Sequence, residues 1–275
     1  IQERAELGGF PIILKPDDGA RGFAVKLARN ERDVMLYFRM VTGAVLVQKF
    51  HPGPYEIGIL WSRVVPGAGK NGSPDGWRGE IFSATGKEFP VIAGDGKRTL
   101  ELLVWHHPRY RMQADMFLKR HAEQTERVLG DGEMMVLAMA GNHCQGTKFY
   151  DGMPAVTHEL AARIEEIAQR FEDPEGGGRL DFGRFDIRYA SEAELARGDG
   201  FLIVELNGTS SESTSMYDPT KSLAWMYGLL YRHWSRVYRL GAARKREGRR
   251  PMGLLELIGA WRRHRRGRTG SRISD

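Results

Sequence analysis

The residues best suited to chemistry stand in two short segments, Gly-Arg-Phe-Asp-Ile-Arg over 183–188 and Val-Glu-Leu-Asn-Gly over 204–208. They supply two carboxylates, Asp186 and Glu205, and one amide, Asn207, with a turn-rich link between. Such oxygens are hard ligands of the kind Mg²⁺ takes, with waters and substrate phosphates filling its other positions. Arg184 precedes Asp186 by two residues, so on a strand the two side chains share a face. A metal ligand beside a guanidinium suits phosphoryl chemistry. Two half-buried strands with solvated outer charges would show the same alternation, so the assignment depends on what else the chain supplies.

Three further groups bear on it. Lys15 ends an apolar run and is followed by Gly19 and Gly22 in a polar turn. Backbone N–H groups freed at such glycines can approach anionic oxygens, and the lysine adds a point charge. A plain hairpin with a surface lysine reads the same way. Gln48, Lys49 and Phe50 close another apolar run, and His51-Pro-Gly-Pro-Tyr then leads to Glu56. An extended segment with open N–H and C=O groups can read the edge of an adenine, and a carboxylate beyond it can accept ribose hydroxyls. Other patterns lead nowhere. Gly67-Ala-Gly-Lys-Asn-Gly72 fits a dinucleotide fingerprint, but Ser-Pro-Asp-Gly follows it instead of a helix start. His106-His107 and His143-Cys144 lack the spacing of a soft-metal site. No hydrolase elbow, phosphate loop or zinc-protease motif is present.

The elements that must position these residues follow from periodicity and turn chemistry. Residues 10–16 and 23–28 read as a hairpin around the turn 17–22, and 30–43 as an amphipathic helix. Asn30 caps that helix, and Val34, Tyr37, Phe38 and Val41 fall on its inner face. Strands are predicted over 44–50 and 55–64, a polar loop over 66–78, and two short strands over 79–96. Helices are predicted over 99–107 and 112–129, a strand over 132–140, a loop over 141–152 and a helix over 158–171. The two acidic segments lie on strands within 176–190 and 200–208. A last body helix starts at Asp218-Pro219 and runs to about Tyr238. Strands and helices mix without strict alternation, which points to an α+β fold.

The 275 residues can bury one large core or two intimate ones, and the formal charge is +6. That charge is unevenly spread: residues 231–275 hold 14 Lys/Arg against three acids, while the rest of the chain is net negative. The basic character therefore belongs to a tail, and no nucleic-acid recognition fold accompanies it. Cys144 is the single cysteine, which favours a reducing, cytoplasmic setting. No stretch is apolar enough to span a bilayer. The chain opens on Ile1 without a signal-peptide pattern, and its first residues read as the tail of a helix in a longer protein. Residues 253–266 would form a short amphipathic helix ending in a cationic run. That helix suits an anionic membrane surface or an acidic partner, while a solvated, partly disordered extension is the plainest reading of the composition.

Taken in order, the lysine hairpin, the strand leading through Gly-Pro to Glu56, the Arg-x-Asp strand and the Glu-x-Asn strand resemble the ATP-grasp superfamily over nearly all of residues 10–220. The last two resemble the metal strands of D-alanine–D-alanine ligases. Residues 89–103 and 141–152 are similar to segments of cyanophycin synthetase and related carboxylate–amine ligases. The resemblance implies an α+β ATP-grasp fold in which two subdomains clasp ATP between antiparallel sheets. It implies a small subdomain over 1–49, a large one over 50–240, and a basic helical tail over 241–275. It assigns Lys15 and the loop of Gly19 and Gly22 to phosphate, the hinge Gln48, Lys49 and Phe50 to adenine, Glu56 to ribose and Lys87 to a further phosphate contact. Asp186, Glu205 and Asn207 become ligands of Mg²⁺, or of Mn²⁺ in its place, and Arg184 stabilises charge at the acyl centre. The implied reaction is ATP-dependent joining of a small-molecule carboxylate to an amine through an acylphosphate. A small-molecule kinase and a nucleotide-binding module without turnover are the alternatives. The chain departs from the family where the hinge opens with Gln48 instead of an acid, and where Tyr55 separates Gly-Pro from Glu56.

Overall fold

The structure is a computed structural model that describes residues 8–17, 24–65, 78–139, 141–171 and 179–267. The chain divides into two compact units, Ile1–Pro52 with Gly241–Asp275, and Gly53–Leu240.

In the first unit, β1 (Ile12–Pro16) pairs antiparallel with β2 (Lys26–Ala28) and with β3 (Val45–Lys49), in the order β2-β1-β3. The expected hairpin is thus present. Its tip over 18–23, with Gly19 and Gly22, lies outside the described residues. Helix α1 (Glu31–Met40) starts at Asn30, whose side chain accepts a hydrogen bond from the Asp33 N–H and satisfies one free donor of the first turn. Tyr37 and Val41 pack with Ile12, Leu14 and Ala28 in a small core, and the Tyr37 hydroxyl donates to the Ala24 carbonyl at 2.9 Å. Phe38, expected to point inward, is 51% exposed. Tyr37 already fills the inner position, and a three-stranded sheet offers little area for a wider stripe.

The second unit is built on a five-stranded antiparallel sheet of β4 (Tyr55–Arg63), β5 (Gly79–Glu88), β8 (Lys148–Asp151), β9 (Phe182–Tyr189) and β10 (Phe201–Asn207), in the order β10-β9-β4-β5-β8. A smaller ribbon of β6 (Val91–Ala93) and β7 (Met134–Val136) sits with helices α2 (Leu100–His106) and α3 (Ala114–Arg120) around Leu103, Val104, Phe117 and Leu129. Helices α4 (His158–Arg170) and α5 (Glu192–Ala196) cover one face of the large sheet. Helix α6 spans Leu223–Arg246. Helix α7 (Leu254–Gly267), grouped with the first unit, leaves Leu254, Leu255 and Trp261 exposed. Among the described residues no helix is long and apolar enough to cross a membrane.

Several sequence expectations are corrected here. The strand expected as one of two short ones over 79–96 is the ten-residue β5, followed by the three-residue β6. The helix expected over 112–129 is only α3, with single 3₁₀ turns on either side. It stops because the Thr125 and Arg127 carbonyls accept the N–H groups of Glu101 and Leu100, the open first turn of α2. The segment 141–152, expected as loop, contains β8 at the sheet edge, paired to β5 with Lys148 opposite Glu88. The strand over 132–140 shrinks to β7. The last body helix starts at Leu223, since Asp218 is engaged with the Asp151 and Thr220 N–H groups, and it continues to Arg246. Helix α5 was not expected, although Ser191 and Glu194 carry its capping signature. The polar loop over 66–77 and its glycine pattern lie outside the described residues, as do residues 1–7 and 268–275.

Candidate active site

Cross-strand partners in register share a face of a sheet. Glu56 on β4 lies opposite Lys87 on β5 and Arg188 on β9, and Gly58 lies opposite Thr85 and Asp186. Asp186 in turn faces Glu205, and Arg184 faces Asn207, on β10. One face of four strands therefore carries Glu56, Lys87, Arg184, Asp186, Glu205 and Asn207. The alternate residues Ile57, Ile59, Phe185 and Ile187 form the core with Leu160, Ile164 and Ala168 of α4. A bulge in β10 makes this arrangement possible. Ile203 pairs with Ile187 and Glu205 with Asp186, which leaves Val204 as an extra residue. A strand without the bulge would put Glu205 on the same face as Ile203, toward the core.

The charges on this face are tightly matched. Arg184 forks onto Asp186, with Nε 2.9 Å from Oδ1 and Nη2 3.3 Å from Oδ2. Its Nη1 donates to the Glu212 carbonyl at 3.1 Å. Lys87 Nζ lies 3.3 Å from Asp186 Oδ2 and also bonds Glu56 Oε1. Asn207 Nδ2 donates to Asp186 Oδ2 at 3.4 Å. Glu56, Lys87 and Asp186 are each less than a tenth exposed, whereas Glu205 is exposed. Buried charges of this kind persist only when paired, and here two carboxylates meet two cations. Gly58 gives the fork room, since a Cβ there would sit 3.0 Å from Asp186 Oδ1 and 3.3 Å from Arg184 Cδ.

Two loops close over the same face, and both contain residues suited to holding a polar substrate. Gly141 lies against the Glu56–Lys87 pair so closely that a Cβ would be 2.4 Å from Glu56 Oε1. Next to it, the His143 ring packs edge-on to Phe149 and Tyr217, at 4.3 and 4.6 Å between ring centres. Burial, and then the charge of Arg109, push the His143 pKa down. The segment 208–219 supplies the Glu212 carbonyl to Arg184 and Ser215 to Ser83, with 3.0 Å between hydroxyls. It is pinned by Asp218, which accepts from the Asp151 N–H at 2.8 Å. Burial raises the Asp218 pKa, but hydrogen bonds from Asp151 and Thr220 and the charge of Lys221 outweigh it, so the net shift is downward. Gly141 and the Glu212 carbonyl were not singled out by sequence. Each acts through backbone geometry, which residue type alone does not reveal.

In the first unit, Lys15 Nζ donates to Gln48 Oε1 at 3.1 Å, from neighbouring strands β1 and β3. β3, with Gln48 and Lys49, lies at the edge of its sheet, and Phe50 follows it. The structure thus brings Lys15 and Gln48 together within one unit. Within the other it brings together Glu56, Lys87, Arg184, Asp186 and Asn207, with Glu205 opposite Asp186.

Asp186, Glu205 and Asn207 fit a hard divalent cation by donor chemistry, as oxygen-bearing side chains at in-register positions of paired strands. The Asn207 amide turns its nitrogen to Asp186, and a flip of that amide presents the oxygen instead. Among the described residues no three His, Cys, Asp or Glu side chains cluster as a metal group. This set has two carboxylates and an amide.

No family model and no curated protein sequence matches the chain. Solved structures with a similar course include a bifunctional glutathione synthetase from Pasteurella multocida, at 12% identity and a TM-score of 0.41, over 82% of this chain and 30% of that one. They also include a D-alanine–D-alanine ligase from Bacillus anthracis complexed with ATP, at 12% identity and a TM-score of 0.40, over 87% of this chain and 54% of that one. The chain spans less than a third of the length of the glutathione synthetase and little more than half of that of the ligase.

Proposed function

We propose that this chain carries the nucleotide-binding and phosphoryl-transfer part of an ATP-grasp ligase that joins a carboxylate to an amine. The observation that supports it most is the in-register set of Arg184, Asp186, Glu205, Asn207 and Lys87 on one sheet face. ATP supplies the phosphoryl group, and Mg²⁺ or Mn²⁺ neutralises phosphate charge. Asp186, Glu205 and Asn207 would hold the cation. Lys87 and Arg184, both paired with Asp186, would supply positive charge to anionic oxygens of the substrates. Lys15 is proposed to bind phosphate, with Gly19 and Gly22, while Gln48, Lys49 and Phe50 meet adenine and Glu56 accepts ribose hydroxyls.

The substrate carboxylate takes the terminal phosphoryl group and becomes an acylphosphate, with ADP as the leaving group. An amine then attacks the acyl carbon, loses a proton and expels inorganic phosphate. Arg184 stabilises the oxyanion of that step, so no side-chain nucleophile is required. The small hydroxyl and amide residues of 141–151 and 208–219 orient the two substrates.

The test is an ADP-release screen of the full-length protein with amino acids and short peptides, followed by product analysis. Free phosphate with an amide product supports the ligase. A stable phosphoester would show a kinase instead. Mg²⁺-dependent ATP binding without ADP release from any acid and amine pair would leave only a nucleotide-binding module.

A further inference from the structure

Helix α6 turns a second charged surface toward the large sheet, at the other end of β4 from Glu56. Arg232, Arg236 and Arg239 recur at helical spacing and meet Arg63, the last residue of β4, around a cavity of about 300 Å³. Arg63 lies five residues beyond Gly58, the β4 residue opposite Asp186, roughly 16 Å along an extended strand, so this cavity sits at the other end of the same sheet face from the Asp186 cluster.

Two of the arginines are held in place. Arg63 is buried, its Nε bonded to the Leu180 carbonyl at 2.7 Å and paired with Asp181 at 3.1 Å. Arg236 pairs with Glu80 at 2.5 Å, donates to Ser62 Oγ at 2.9 Å and lies over the Phe82 ring. Arg232 and Arg239 have no ion-pair partner among the described residues. The lining therefore carries four guanidinium groups against one carboxylate, Glu80. Apart from Ser235, its remaining wall is apolar, from Val64, Val65, Phe82 and the Tyr231 ring.

We propose that this cavity binds a small phosphomonoester. A guanidinium presents a planar fork matched to phosphate oxygens, and a phosphate dianion offers three oxygens to share among several forks. A monocarboxylate would match only one of the two arginines without an ion pair among the described residues, Arg232 and Arg239, whereas a dianion matches both. The volume, at the lower end of small-molecule pockets, holds one compact body and excludes a polymer. The apolar wall gives that body a surface to rest on, so an ester with a ring binds more tightly than inorganic phosphate.

Calorimetric titration of the full chain with phenyl phosphate tests this, with inorganic phosphate as the second probe. The Arg232→Ala/Arg239→Ala variant removes two exposed side chains from the cavity. The Arg111→Ala/Lys119→Ala variant removes equal charge from exposed sites that do not line it. Expected are saturable binding of phenyl phosphate, weaker binding of inorganic phosphate, and an affinity loss of roughly tenfold or more in the first variant alone. Binding should survive saturating Mg²⁺ and ATP. Equal affinity in wild type and the cavity variant would overturn the proposal. So would an equal loss in both variants, displacement by ATP, or no binding at millimolar phenyl phosphate.

Discussion

Around Asp186 every buried charge touches an opposite one. Lys87 meets both Glu56 and Asp186, and Arg184 forks onto Asp186. Beside α6 the balance is different: four arginines line a cavity with one glutamate, and Arg232 and Arg239 stay at the surface without an ion-pair partner among the described residues. Burial explains the contrast. Charges less than a tenth exposed lose their hydration and must be matched from within the protein, whereas exposed guanidinium groups keep water as their counterpart. Removing one member should therefore damage the first region and leave the second intact.

The largest expected effect is on turnover. Glu205→Gln keeps the shape of an exposed side chain and removes one proposed cation ligand, and Asp186→Asn removes another. Each should cut ADP release by about a hundredfold or more, with the far-ultraviolet circular dichroism unchanged for Glu205→Gln. Wild-type turnover in both purified variants would remove the cation assignment.

Stability gives the next contrast. Lys87→Met strands two buried carboxylates, Glu56 and Asp186, with Arg184 the remaining cation in contact with the latter. Breaking a buried pair by removing one partner should cost about 3 kcal/mol in urea unfolding. A loss below about 1 kcal/mol would mean that water reaches the pair and that the cluster is not desolvated as described.

How much of this was legible in sequence depends on whether the deciding contact was local. That Arg184 and Asp186 share a face followed from the period of a strand, and the fork between them is its direct result. Glu205 was harder. Residues 201–204 are all apolar, so nothing in the pattern marks Val204 as the bulge that moves Glu205 from the core face to the face of Asp186. The structure shows its effect: Ile203 and Leu206 both pack on the core, which residues three apart cannot do in a regular strand. The edge strand β8 hid among turn residues, because an edge pairs through its backbone and needs no apolar run. The early end of α3 was invisible locally, since its cause is the open first turn of α2. The segments 141–152 and 208–219 both lie against the charged face, and each reaches it through backbone atoms that residue type does not reveal.

A smaller effect belongs to the group between the two regions. His233 is fully buried, packs on Phe82 of the cavity wall and Phe182 of the sheet, and shares a hydrogen bond of 3.2 Å with Ser213. Its Nε2 has no hydrogen-bond partner among the described residues. Burial depresses its pKa, so the unfolded chain binds the proton more readily than the folded one. Stability is then full above the ordinary histidine range near 6.5 and falls as pH drops below it. The melting temperature of wild type should decline between pH 7 and pH 5, and less so in His233→Leu. Parallel curves would place the acid-sensitive groups elsewhere, with His107 and His143 next in line because burial depresses both.

The smallest expected change is in the folded stability of Arg232→Ala/Arg239→Ala. Neither side chain has an ion-pair partner among the described residues, so their removal breaks no such pair and relieves repulsion with Arg63 and Arg236. Surface changes of this kind stay within about 0.5 kcal/mol of wild type. The sign should favour the variant at low ionic strength, and salt should erase the difference by screening the same repulsion. Urea melts of both proteins at low and high salt measure this directly. A clear destabilisation that persists in salt would mean that these arginines hold the helix to the sheet. The surplus charge of the cavity would then be structural, and the contrast with the balanced cluster around Asp186 would fail.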